Sequence, residues 1–270
     1  MKLAFVGVGP MRAGTTWLHA ALALHPRVAL PREKETFYFD RYFDRGPAWY
    51  EAHFRGAPEG AVFGEIGASY FHSPEARARI HDAAPDALVL VNVRDPVERA
   101  FSTYLHLKKT RALPDRLAEA VDAEPEILDS GAYSVHLPAW ESRFGRDRVE
   151  LVPLEAIRAR PHDVLARILA RLGLPPLDPS IDLSQPRNEG FVPRSEAVQR
   201  IRAKVFRYLA DHHHFRALDA VRAAQRAFLR LTGMERPRER RMTADERAFL
   251  EARLRDERAF LADRLPSSRP

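Results

Sequence analysis

Cysteine is absent from all 270 residues. That removes disulfide frameworks, thiolate zinc sites and a cysteine nucleophile together. Nowhere do about 18 apolar residues run consecutively, so no membrane-spanning helix is expected. The first apolar run opens at Leu3, so no signal peptide is expected. With these absences the expected setting is cytoplasmic, and no membrane partner is expected. A further absence is local. Gly9 and Gly14 have the spacing of a G-x-x-x-x-G-K-[ST] phosphate loop, but Thr15 stands where nucleotide kinases and NTPases carry lysine. The nearest cation is Arg12, inside the loop. A loop that keeps its glycines and lacks its lysine is suited to an anion other than an NTP tail.

What is present around the loop fits that reading. An apolar run, Leu3–Val8, precedes it, and an Ala/Leu stretch at helical spacing, Leu18–Leu24, follows. Strand, Gly-rich turn and helix in that order aim backbone N–H groups and the helix dipole at an anion. Further strands are expected at Val28–Leu30, Val62–Glu65, Leu88–Val93 and Val149–Pro153. Most are short continuous apolar runs, as in strands covered on both faces of a parallel sheet. Helical patterns lie between them, at Trp17–Leu24, Glu75–Ala83, Val97–Lys109, Ala139–Phe144 and His162–Leu172. The alternation predicts a P-loop-like three-layer α/β/α fold with a central parallel sheet, plus a C-terminal helical segment.

We expect a single domain over residues 1–270, with residues 1–193 as the α/β core and 194–270 as a basic helical flank or cap. That flank holds 19 Lys/Arg against 11 Asp/Glu, so it carries the whole basic excess of a chain with net charge +6. A solvated face of Arg-rich helices explains this, and so does steering of an acidic partner. Helices are expected over 195–211, 215–231 and Thr243–Leu265, the last opened by Thr243 with Glu246 as a capping box. The tract Asp211-His212-His213-His214 reads as a solvated helix end, and no metal site is expected.

A second signal begins where the strand Leu88–Val93 ends. Arg94 sits at the strand's carboxyl end, Asp95 suits an N-cap and Pro96 the first helical position. Ser102 lies about two turns on, so a guanidinium and a hydroxyl share one space, a sound receptor for a phosphate monoester. An Arg paired to a carboxylate at a sheet edge is the structural alternative.

Together the two motifs resemble the sulfotransferases that use 3′-phosphoadenosine-5′-phosphosulfate (PAPS). Arg12-Ala13-Gly14-Thr15-Thr16-Trp17-Leu18 is similar to their K-x-G-T-T-x-L loop, with arginine for lysine. The run from Arg94 to Tyr104 matches R-[DN]-P-x-x-R-x-x-S-x-Y at every fixed position. Residues 32–40 resemble the K-E-x-x-F-F-[DE] segment of heparan-type and bacterial members, and residues 64–71 their E-K-[ST]-x-x-Y-F segment. Ser130–Phe144 resembles their G-x-Y-x-x-x-L-x-x-W-x-x-x-F helix. The resemblance covers about residues 1–195.

The resemblance implies sulfuryl transfer from PAPS to a hydroxyl acceptor, with adenosine 3′,5′-bisphosphate (PAP) as product and no metal. It implies Glu65 as general base, and Arg12, Ala13, Gly14, Thr15 and Thr16 around the 5′-phosphosulfate, with Trp17 near the adenine. Arg94 and Ser102 would hold the 3′-phosphate, and Arg187, Asn188 and Gly190 a late loop over the nucleotide. The lysine that often follows the glutamate is Ile66 here, and Lys34 is the candidate replacement cation. Read from residues alone, Glu65 is equally a strand-end carboxylate paired with Lys34 or Arg12. The acceptor stays open between a small molecule and a carbohydrate. The rival readings are a kinase or NTPase with an aberrant loop, and a nucleic-acid-binding module on the basic helices, although no recognised nucleic-acid module is present.

Overall fold

A computed structural model describes residues 1–109, 111–183, 221 and 240–265. The chain divides into one unit made of Met1–Pro186 with Met242–Pro270 and a second, Arg187–Arg241. The elements described below all belong to the first. The helices expected over 195–211 and 215–231, the His212–His214 tract and Arg187, Asn188 and Gly190 lie outside the described residues, Val221 apart.

Five parallel strands form one sheet in the order β2-β3-β1-β4-β5: β1 Phe5–Gly7, β2 Val28–Ala29, β3 Val62–Ile66, β4 Leu88–Val93 and β5 Val149–Pro153. The strands are covered on both faces, as their unbroken apolar runs require. In β4, period-two alternation sends Val89, Val91 and Val93 into one core, and Leu88 and Leu90 into the other. The first core is closed by α3 Pro74–Ala83, α7 Tyr133–Phe144 and α11 Arg255–Arg264. The second is closed by α1 Thr15–Leu22, α8 Leu154–Ala159 and α9 Pro161–Arg171. These are the three layers the alternating pattern predicts.

A third apolar cluster joins α4 Pro96–Lys108 to α5 Leu117–Ala123, the short α6 Glu126–Asp129 and α10 Ala244–Arg253. Thr243 opens α10 with the expected capping box to Glu246. The helix expected to run unbroken to Leu265 instead breaks at Leu254, and α11 restarts at Arg255. Two ion pairs then tie these two helices to the start of α4. Arg258 Nε lies 3.1 Å from Asp95 Oδ2, and Arg247 Nη2 lies 2.7 Å from Glu98 Oε1. α7 begins earlier than Ala139, because Pro138 falls inside it without ending it. The helix α2, Gly46–Glu51, and α5, α6 and α8 are short helices the sequence pattern did not announce.

One side chain holds the α4–α6 corner together. Arg99 is fully buried and donates to the carbonyls of Ile127 and Leu128 at 2.9 and 3.0 Å, and to Thr103 and Ser130. Carbonyls at the end of a helix supply the negative potential that a carboxylate otherwise would. Gly131 makes room for it: a Cβ there would lie 2.0 Å from Arg99 Nε. We therefore expect Gly131→Ala to destabilise the fold by about 1–3 kcal/mol, the usual cost of overpacking. Chemical denaturation measures this, and an unchanged unfolding midpoint would mean that Arg99 can yield.

Candidate active site

The loop between β1 and α1 is shaped by glycine where the backbone demands it. A Cβ on Gly9 would lie 2.3 Å from the backbone nitrogen of Asn92, so only glycine lets the loop press against the end of β4. Gly14 caps α1 at φ 103°, and Arg12 also takes a left-handed conformation at φ 71°. A non-glycine residue at positive φ stores strain, and such residues cluster at ligand sites. No side chain caps α1. The N–H groups of its first turn, including those of Thr15 and Thr16, have no intrahelical acceptor. They converge with the positive end of the helix dipole on one point, which is a ready anion site.

The close approach at Gly9 brings the two sequence motifs into direct contact. Arg12 Nε donates to Ser102 Oγ at 2.9 Å, across 90 positions of sequence. Arg94 Nη1 donates to the carbonyl of Arg12 at 3.2 Å. Asp95 Oδ1 accepts the N–H of Glu98 at 3.0 Å, so α4 starts where the sequence places it and carries Ser102 toward the loop. The Arg94 backbone N–H donates to Tyr133 Oη at 3.1 Å. Burial and the neighbouring Arg158 both lower the Arg94 pKa, with Arg12 adding to the effect. Arg12, Arg94 and Arg158 thus gather at one end of the sheet. Arg158 is a contributor the sequence reading missed, since it has no motif of its own. Ala13 is buried beneath the loop.

Glu65 lies at the carboxyl end of β3, and hydroxyls surround it where the structural alternative expects Lys34 or Arg12. It is 0% exposed. Oε1 accepts from the Thr36 N–H at 3.2 Å, from Tyr70 Oη at 2.9 Å and from the Thr36 hydroxyl. Oε2 accepts from Tyr50 Oη at 2.6 Å. Burial raises its pKa, and the hydrogen bonds from Thr36, Tyr50 and Tyr70 pull it back part of the way. Lys34, the candidate cation, bonds Glu35 Oε1 at 2.8 Å instead.

Glu35 was given no role by the sequence, yet its position is notable. It holds a left-handed φ of 65°, with Phe37 at 55°. Its charge is felt by His19 on α1 and by His106 on α4, and His106 also feels Arg12. Burial, with Lys34 adding to it, drops the His19 pKa to about 4. Glu35 and Lys34 therefore lie within electrostatic range of α1 and α4, with side chains partly open to solvent. Trp17 packs into the second core and donates its indole N–H to the Leu183 carbonyl at 2.8 Å.

Comparison with known proteins bears on this arrangement. Residues 66–179 match the model of the "Sulfotransferase family". A mouse protein described as heparan sulfate glucosamine 3-O-sulfotransferase 6 is 36% identical over 175 residues, covering 62% of this chain and 51% of that protein. The human 3-O-sulfotransferase 3B1 is 33% identical over 176 residues, covering 62% and 45% respectively. The chain thus spans about half the length of the curated relatives it matches. The crystal structure of a sulfotransferase from Alicyclobacillus acidocaldarius superposes with a TM-score of 0.60 at 24% identity, covering 84% of this chain and 99% of that one. That likeness concerns the fold. No helix among the described residues is long and apolar enough to cross a membrane.

The enclosed carboxylate generates a pH prediction. A carboxyl whose folded pKa is raised binds more protons folded than unfolded just above its ordinary value. Its contribution to stability is therefore lost as pH rises through that window. The unfolding free energy of wild type minus that of Glu65→Gln should fall as pH rises from about 4.3, and Tyr50→Phe should extend the fall to higher pH. Denaturant titrations across pH check this; a difference that rises with pH would contradict it.

Proposed function

We propose that the chain, whose residues 66–179 match the sulfotransferase family model, moves a sulfuryl group from PAPS to a carbohydrate hydroxyl. The observation that carries the proposal is the 2.9 Å bond from Arg12 to Ser102. It joins two anion-holding motifs into one bipartite site, as a nucleotide phosphorylated at both its 3′ and 5′ positions requires. The 5′-phosphosulfate lies on the first-turn N–H groups of α1, with Arg12 and the Thr15 and Thr16 hydroxyls. The 3′-phosphate lies on Arg94 and Ser102. The cytoplasmic setting belongs to the same proposal.

In the reaction the acceptor oxygen attacks sulfur, the bond from sulfur to the bridging phosphate oxygen breaks, and the acceptor proton passes to a carboxylate. PAP leaves with the negative charge that develops on its 5′-phosphate. Arg12 and the α1 dipole stabilise that charge without rearranging, which is the main source of catalysis in such transfers. Lys34 adds a second cation from the neighbouring segment.

Two carboxylates compete for the proton. Glu65 is enclosed by three hydroxyls and 0% exposed. Glu35 is partly open and faces the same space as Arg12. We therefore assign the proton to Glu35 and give Glu65 the task of holding Thr36, hence the strained Glu35–Phe37 turn, in place. The acceptor class rests on the relatives, whose names give heparan sulfate glucosamine as their substrate. A basic and aromatic surface suits such an acidic sugar. Arg41 stacks on Phe37 at 4.5 Å, Arg79 on Phe43 at 4.5 Å, and Arg45 on Tyr42 at 4.8 Å.

Calorimetry should show PAP binding without metal, in preference to ADP and ATP. Arg94→Ala should weaken it about 10–100-fold, the value of a charged hydrogen bond. Preference for ATP with Mg²⁺ would overturn the reading in favour of a kinase. With radiolabelled PAPS and N-sulfated heparan oligosaccharides, Glu35→Gln should lower kcat by about 10²–10⁴ and leave PAP affinity unchanged. Turnover kept in Glu35→Gln and lost in a folded Glu65→Gln would return the proton to Glu65.

A further inference from the structure

Strand β4 reads Leu-Val-Leu-Val-Asn-Val, and every one of its residues is buried. Asn92 is its one polar residue, 0% exposed, and neither Oδ1 nor Nδ2 has a hydrogen-bond partner among the described residues. An unsatisfied buried amide costs about 1–3 kcal/mol, so a valine or leucine would serve the strand better. Alternation along β4 puts Asn92 on the face of Leu88 and Leu90, the face that packs against α1. There it lies beneath the phosphate loop. Gly9 is pressed onto its backbone, and its Nδ2 is 3.6 Å from where a Cβ of Gly14 would stand. The carboxamide therefore sits between the two loop glycines, at the α1 N-terminus, with its full hydrogen-bonding capacity unspent.

We propose that Asn92 is a positioning residue of the phosphate loop, whose amide bonds the loop's peptide groups in the anion-bound form. This rests on the reading of the loop as the phosphosulfate site. Gly14 and Arg12, at φ 103° and 71°, are the loop residues held in left-handed backbone, and their peptide groups are the amide's prospective partners. A bond made only in the bound form adds to affinity and nothing to the free protein. The free protein bears the cost of the orphaned amide, so the residue trades resting stability for a loop poised to bind. Opposite signs for stability and affinity follow, which a merely structural residue cannot produce.

Asn92→Leu, close in volume and without polar atoms, separates the two. Unliganded, it should melt at or above the wild-type temperature. Its affinity for PAP, measured by calorimetry, should fall about tenfold, the value of one or two hydrogen bonds. KM for PAPS should rise with kcat little changed. Asn92→Thr, which keeps one hydroxyl, should recover part of the affinity. Affinity within twofold of wild type, or a melting temperature that drops along with affinity, would overturn the proposal. Inorganic pyrophosphate serves as a second probe of the loop alone. If wild type binds pyrophosphate and not PAP, the nucleotide reading fails while Asn92 is still tested by the pyrophosphate affinities. Binding of neither would overturn both.

Discussion

The site depends on one close approach, the seating of Gly9 on the backbone of Asn92 at the end of β4. No residue with a Cβ fits there, since the atom would lie 2.3 Å from a main-chain nitrogen. Because the loop rests on β4, its Arg12 meets Ser102 and Arg94, which the same strand and the helix after it carry. A parallel sheet places the carboxyl ends of its strands on one edge, and ligands of open α/β sheets bind there. Two local motifs 80 residues apart thereby become one cationic receptor. The helices α10 and α11 brace that receptor from outside through Arg258 to Asp95 and Arg247 to Glu98. These pairs are partly exposed, so each adds little on its own.

Charge is handled around the site in two ways. Where the chain buries a charged group fully, it surrounds it with neutral dipoles. Glu65 takes hydroxyls from Thr36, Tyr50 and Tyr70, and Arg99 takes carbonyls from the end of α6. Where charges meet solvent, they occur as ion pairs, such as Lys34 with Glu35. The buried pair of devices fixes geometry: Glu65 holds the Thr36 turn, and Arg99 holds the α4–α6 corner. The backbone at Arg12, Glu35 and Phe37, at positive φ, lies beside the open charges.

How much of this the sequence displayed follows from the range of the interactions. The loop, the Asp95 cap, Pro96 and the capping box at Thr243 are set by neighbours within a few residues, and each was legible. β4 and β5 were legible to the residue, because uninterrupted apolar runs end where the chain leaves the sheet. The cage of Glu65 was not. Its hydroxyls come from positions 36, 50 and 70, on a loop, a helix and a turn that no periodicity connects. Glu35 was passed over for a related reason: its place beside α1 and α4 depends on a left-handed backbone that its residue type does not announce. The start of α7 at Tyr133 is hidden by Pro138, a helix breaker in most interiors that this fold tolerates inside the helix. Asn92 was visible as a polar residue in an apolar strand, but its meaning needs the loop above it.

The central claim is that the loop and the Arg94 motif each hold a phosphate of one nucleotide. Calorimetric titration of the wild-type protein with PAP, 5′-AMP and 3′-AMP tests it most directly. The account predicts that PAP binds far more tightly than either monophosphate, each lacking about 10–100-fold for its missing charged contact. Equal affinity for PAP and 5′-AMP would show that Arg94 and Ser102 hold no phosphate, and the bipartite site would be contradicted.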